Sequence, residues 1–260
     1  MAKIPISGQK LSQPSSLGGG GHVEIVVVFL TVLLGFLLYH FFSEASFLQK
    51  RTLQKIRRDQ KPIYREVFKR LIGFLLLGVI PLSIELFVFS RNMTELGLSL
   101  KNLASSLSWV VILSAFMIPV NFLNARTEDN LKMYPQIRYE KWDLGLISLS
   151  AATWMLYLLA FEFLFRGFFL FSCERAFGYW PAIAGNTVVH SLVHLPKGKK
   201  ETLGAIPFGA ILCFLTLKTG TLWAAYGIHV VLALSNEWMS LASHPEMEVL
   251  LFTKSGGGHR

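Results

Sequence analysis

The chain has 260 residues, 52% of them hydrophobic and 16% charged, with a mean hydropathy of +0.47. Soluble domains carry about 25% charged residues, so this composition excludes an ordinary soluble protein and points to a polytopic membrane protein. The formal charge of +9 does not indicate nucleic acid: nine of the 25 Lys and Arg residues fall between Lys50 and Arg70, between two apolar runs, where they suit a loop facing anionic lipid.

In chain order, residues 1–22 form a polar, disordered tail ending in Gly18 to Gly21. Val23–Phe42 is an apolar run of about twenty residues, too long for a signal-peptide core of about 7–15 and long enough to cross the hydrocarbon core. Further spans are expected at Leu71–Ser90, Leu103–Leu123, Leu144–Phe171, Pro181–Leu195, Leu203–Leu217 and Leu222–Leu241, the fifth and sixth of the set being short. No internal repeat and no strand-like alternation is present, and backbone polar groups in lipid must be satisfied internally. The expected fold is therefore all-α, a polytopic transmembrane helix bundle of about seven spans. Residues 23–90 supply two additional helices with a basic loop, residues 91–245 a core, and residues 246–260 a C-terminal tail. With the 43–70 loop inside and strict alternation, 18 basic residues lie inside and 6 outside, which sets the N-terminus outside and the C-terminus in the cytoplasm. The basic loop suggests a bacterial inner membrane. Cys173 and Cys213 lie in or beside apolar spans and read as inert thiols, since two cysteines make no disulfide framework.

The informative residues are the charges inside these spans, because an ionisable group at membrane depth costs about 2.5–3.5 kcal/mol or more. Glu162 and Arg166, four apart in FEFLFRGFF, share a helix face and can pair. His190 and His194, also four apart, share a face of the next span, and His229 stands in a later one with Asn236 seven residues on. Glu85 and Asn121 read as packing hydrogen bonders, and Glu237 as a residue near a span end. One acid and two imidazoles converging in a bundle interior can activate a water and stabilise the oxyanion formed when it attacks a carbonyl. Glu162, His190, His194 and His229 would also make a zinc set. A structural ion pair, with capping or core histidines, is the plainer reading of the same residues. A transporter with buried charges along its pathway is a further alternative, weakened by the absence of a repeat. No Gly-rich phosphate loop or dinucleotide fingerprint is present.

The ordered motifs Glu162-x-x-x-Arg166-Gly167, then His194, then TGTLWAAYGIH ending at His229, resemble the CPBP family, the CAAX-processing and bacteriocin-processing intramembrane proteases. MTELGLSL, from Met93 to Leu100, resembles the family's upstream segment, and the likeness runs roughly from Asn92 to Ser240. The resemblance implies a helix bundle with a cavity open to membrane and cytosol, and metal-free, glutamate-dependent hydrolysis of a peptide bond in a membrane-associated or lipid-linked peptide. No cofactor is expected, with zinc as the alternative. The expected partners are membrane lipid and a membrane-associated peptide or protein. Carried over, the catalytic residues are Glu162, His194 and His229, supported by Arg166, His190 and Asn236. Three positions depart from the family pattern. Phe161 stands where a first, water-activating glutamate is usual, His190 replaces a phenylalanine, and Ala233 replaces an asparagine for which Asn236, one turn on, is the substitute. The resemblance therefore admits a catalytically silent member acting as a membrane binding, immunity or regulatory protein.

Overall fold

The computed structural model describes residues 19–44 and 56–250. The 1–18 part of the polar tail, positions 45–55 of the basic loop and residues 251–260 of the C-terminal tail lie outside that set.

Helix α1 runs from Gly19 to Glu44. Helix α2, Lys61–Val88, begins about ten residues before the apolar run, with Pro62 in its first turn, where a missing N–H costs nothing. Two π turns, Leu75–Val79 and Ile84–Val88, flank Pro81. Proline has no N–H to donate and crowds the carbonyl one turn back, and a widened turn accommodates that. Helix α3 is Leu103–Asn124, and α4 is the short Glu128–Met133. Helix α5, Leu144–Phe177, is capped by Asp143, whose Oδ1 accepts from Leu146 N–H at 2.7 Å. Helices α6 (Tyr179–Leu192), α7 (Lys199–Thr219) and α8 (Trp223–Ser243) complete the bundle.

Helices thus occupy all seven expected places. Five are long and apolar enough to cross a membrane: Gly21–Ser43, Lys61–Val88, Leu103–Asn124, Leu144–Phe177 and Lys199–Thr219. The sixth expected span is thereby lengthened, whereas α6 has only 14 residues. Helix α8 has 21 residues but carries His229, Asn236 and Glu237 inside it. The all-α expectation needs one small amendment. Lys141–Asp143 (β1) pairs in parallel with Glu248–Leu250 (β2), Lys141 facing Glu248, so part of the expected C-terminal tail is a strand.

End contacts sort into two sets. At one end Leu222 N–H donates to Gly97 O (3.0 Å), Trp223 Nε1 to Ser99 O (3.1 Å), and Arg91 and Arg175 both pair with Glu24 (2.9 and 3.1 Å). At the other end are the β1–β2 pair and the Tyr134 hydroxyl on Glu201 (3.0 Å). Consecutive long segments therefore run in alternating directions. The main core centres on the phenylalanines of α5. Phe161, Phe165, Phe168 and Phe169 are buried there with Val28 and Val32 of α1, and Phe29 meets Phe169 edge-on at 5.1 Å.

Candidate active site

Glu162 is the last residue before a π turn that spans Phe163–Phe169 in the middle of α5. The widened turn is braced from outside. Leu170 N–H closes onto Phe165 O, Asn186 Nδ2 of α6 donates to the same carbonyl at 2.6 Å, and the Cys213 thiol of α7 donates to Asn186 Oδ1 at 3.1 Å. Gly167 lies in this turn because a Cβ there would come within 2.7 Å of Phe163 and 3.0 Å of Leu96 O. The residue type lets the 93–100 segment lie flat on the turn. Single-turn π segments recur at functional sites because they re-aim side chains that a regular helix would hold elsewhere.

Glu162 and Arg166 are completely buried. Glu162 Oε1 lies 2.5 Å from His229 Nδ1, and Oε2 lies 3.2 Å from Arg166 Nη1. The acid and one imidazole from distant helices therefore meet, as the sequence leads one to expect. A carboxylate accepts, so His229 Nδ1 carries the proton and Nε2 of the neutral ring is left as an acceptor. The Arg166 guanidinium supplies the charge that a buried carboxylate requires. It does so with one nitrogen only: Arg166 Nε and Nη2 are buried without a hydrogen-bond partner, a cost of about 1–3 kcal/mol for each such group.

His194 lies just beyond α6, where its Nδ1 donates to His190 O at 2.8 Å, and the Thr202 hydroxyl donates to His194 O at 3.1 Å. His190 is fully buried, its Nδ1 donating to Ala205 O at 3.3 Å. Its Nε2 has no partner. Gly209 of α7 makes this placement possible, since a Cβ there would come 2.7 Å from His190 Nδ1. The two imidazole centroids are 4.7 Å apart.

Phe161 is the hub. Its ring centroid lies 5.8, 6.1 and 5.7 Å from those of His190, His194 and His229, all edge-on. Phe208 of α7 flanks His190 and His229 at 6.5 and 5.5 Å, and Phe36 of α1 meets Phe161 at 6.2 Å. His194 and His229, the two imidazoles expected to share a water with Glu162, are thus gathered with His190 round an aromatic ring. Asn236 is buried on α8 with Oδ1 unpartnered, and no hydrogen bond joins it to Glu162 or the three histidines among the described residues. Among the described residues no group of three or more His, Cys, Asp or Glu side chains is placed to hold a metal ion. Glu162 Oε1 is held by His229 Nδ1, and Nδ1 of both α6-side histidines faces a carbonyl, which leaves Nε2 as the free lone pair of each ring. A cleft of about 450 Å³ between Gln60–Val67 and Asp143–Leu149 shares no residue with this cluster.

A second buried ion pair escaped sequence reasoning. Glu237, read as a span-end residue, and Arg70, read as part of a lipid-facing loop, are 1% and 2% exposed and lie 3.8 Å apart. Arg70 Nη1 donates to Ser150 O (2.8 Å), Ser150 Oγ (3.2 Å) and Thr153 Oγ1 (3.1 Å), and Nη2 donates to Gln136 Oε1 (3.0 Å). Glu237 accepts from Gln136 N–H (3.1 Å) and the Ser150 hydroxyl (3.3 Å). The available signal was position: Arg70 abuts the apolar run of α2, and Glu237 has apolar residues on both sides. The packing role expected of Asn121 is met, its Nδ2 donating to Leu232 O (2.8 Å) and Ser235 Oγ (2.7 Å). Glu85 is buried, and its Oε1 takes a long contact from the Ser172 hydroxyl at 3.5 Å.

Residues 137–235 match the family model described as type II CAAX prenyl endopeptidase Rce1-like. The likeness read from the motifs therefore holds over that segment, which contains Glu162, Arg166, His190, His194 and His229 and stops one residue before Asn236. No curated protein and no solved structure matches the chain.

Proposed function

We propose, taking the CAAX-type intramembrane protease match as premise, that this integral membrane protein is an endopeptidase hydrolysing a peptide bond of a membrane-associated or lipid-linked peptide. The observation that carries the reading is the contact of Glu162 Oε1 with His229 Nδ1 at 2.5 Å inside the bundle. In this reading Arg166 keeps Glu162 ionised, and Glu162 holds His229 in the tautomer whose Nε2 takes a proton. A water gives that proton to His229 Nε2 as its oxygen bonds to the substrate carbonyl carbon, and the carbonyl π pair moves onto oxygen. Collapse then breaks the C–N bond, and the departing nitrogen takes the proton back. The imidazolium formed in between is neutralised by the adjoining carboxylate, the arrangement that makes an acid–imidazole pair an effective base in an apolar interior. His194, at a helix end and only partly buried, is assigned the second proton-handling role. The unpartnered Oδ1 of Asn236 is assigned to a substrate N–H. The N-terminus is put outside and the C-terminus in the cytoplasm of a bacterial inner membrane, a reading supported by the 18 to 6 basic distribution and the alternating helices.

The test uses the full chain in liposomes, with a farnesylated C-terminal CAAX-type peptide and its unprenylated counterpart, and release of the C-terminal fragment as readout. Glu162→Gln is expected to lower cleavage by about 10²–10⁴-fold; unchanged cleavage sinks the reading. A second reading, a catalytically silent member that binds its peptide, is favoured by one observation: Phe161 fills the space between the imidazoles. Under that reading wild type binds without cleaving, and Phe161→Glu introduces cleavage.

A further inference from the structure

Two buried polar groups near the Glu162–His229 pair lack what the protein could have given them. His190 Nε2 is an acceptor without a donor, because Nδ1 carries the ring proton toward Ala205 O. Arg166 Nε and Nη2 are donors without acceptors. Both residues have no exposed surface, and both flank the same ring. The Phe165 centroid is 5.3 Å from that of His190 and 5.5 Å from Arg166 Cζ. Buried polar groups in folded proteins are nearly always paired, with ordered water where no protein atom serves. Water can donate to the imidazole and accept from the guanidinium at once. The surroundings also fix the imidazole. Gly209 leaves only enough room for Nδ1, His194 lies against one side, and Phe161 meets an edge. A ring held this firmly with a bare lone pair is built to position something.

We propose that His190 is a water-positioning residue of the site: its Nε2 holds a buried water that accepts from one free Arg166 N–H and keeps its other lone pair for attack. In chemical terms the polar duty absent from position 161 is carried from the facing helix. His190 does not itself take the proton. A charge on its ring would lie among Phe161, Phe165 and Phe208, whereas a proton on His229 meets the Glu162 carboxylate. The proton therefore goes to His229, and His190 only holds the water. This role rests on the hydrolase reading, but the water itself does not.

The experiment is a high-resolution structure of the full chain in lipid, wild type and His190→Phe, with peptide cleavage measured on the same preparations. Expected is ordered solvent within about 3.2 Å of His190 Nε2 and of an Arg166 nitrogen, lost in His190→Phe while the Glu162–His229 contact persists. A dry site, or a protein donor on Nε2, overturns the proposal. On the farnesylated peptide, His190→Phe is expected to lower kcat at least about tenfold with KM nearly unchanged, and His190→Gln, which can still hydrogen-bond a water, to recover part of the loss. Equal kcat for wild type and His190→Phe overturns the positioning role. If wild type cleaves nothing, the hydrolase reading fails, and the solvent density still decides the water.

Discussion

The bundle buries two ion pairs of similar composition and opposite character. Around Arg70 and Glu237 most polar atoms have a hydrogen-bond partner, the exception being Arg70 Nε, which lies 3.9 Å from Glu66 Oε1. Two carbonyl or amide oxygens, two hydroxyls and a backbone N–H surround the pair, and the Arg70 guanidinium lies 4.8 Å from the Trp154 ring centre. Around Glu162 and Arg166 the groups are left short. Among the described residues two guanidinium nitrogens and one imidazole nitrogen have no hydrogen-bond partner, and the acid grips His229. A richly partnered pair holds helices in place, whereas a sparsely partnered one keeps hydrogen-bonding capacity for something that is not protein. The difference teaches that burial of charge does not separate the two pairs; the number of hydrogen bonds left unmade does.

The largest effect expected from this contrast is on turnover. Glu162→Gln and Glu237→Gln make the same chemical change, yet the first should cost about 10²–10⁴-fold in peptide cleavage and the second less than about threefold per folded molecule. Comparable losses in both would erase the distinction. Next comes stability. Arg70→Met leaves Glu237 charged and unpaired, so unfolding in mild detergent should become easier by about 3–5 kcal/mol, and adding Glu237→Leu should restore most of it. A single variant as stable as wild type would mean that the network carries no weight. Smaller still is Gly209→Ala. Its Cβ enters the space of the His190 ring, with about 1–3 kcal/mol of overpacking and a fall in turnover that Ala substitution at the open Gly204 does not share. The smallest concerns Glu95, outside both pairs. The Asn92 N–H, 2.9 Å from Glu95 Oε2, and then Arg91 hold its carboxyl below the usual range. Such a group adds stability above the unfolded carboxylate pKa of about 4.3 that is lost as pH falls below it. Glu95→Gln should flatten that acid limb slightly in thermal melts and leave cleavage untouched.

Much of this was legible before any coordinates. Long apolar runs gave the helices, and the four-residue spacing of Glu162 and Arg166, with His229 in a later span, gave the acid–imidazole pair. Other features were not, for physical reasons. The helical pattern of residues 61–70 is masked by its charges, so Arg70 reads as a loop cation although it points inward. Glu237 sits near the end of a hydropathy window, which measures composition and is blind to which face meets a neighbour. The π turn at Phe163–Phe169 has no sequence period of its own; it is braced by Asn186 from α6 and made close-fitting by Gly167 within it. That Phe161 lies at the centre of the histidines, with Phe36 of α1 against it and Phe208 of α7 against His190 and His229, is tertiary packing that no local pattern in the sequence announces.

Helix α6 has only 14 residues, about 21 Å of rise against a hydrocarbon layer of about 30 Å. A bilayer around a helix this short would have to thin, or its headgroups sink toward the turn at Leu195–Lys197, where Leu192 and Leu195 are exposed. Such a dent would lie next to His194 and would make acyl-chain length a control on how readily a polar peptide segment reaches the interior, short chains easing entry and long ones opposing it.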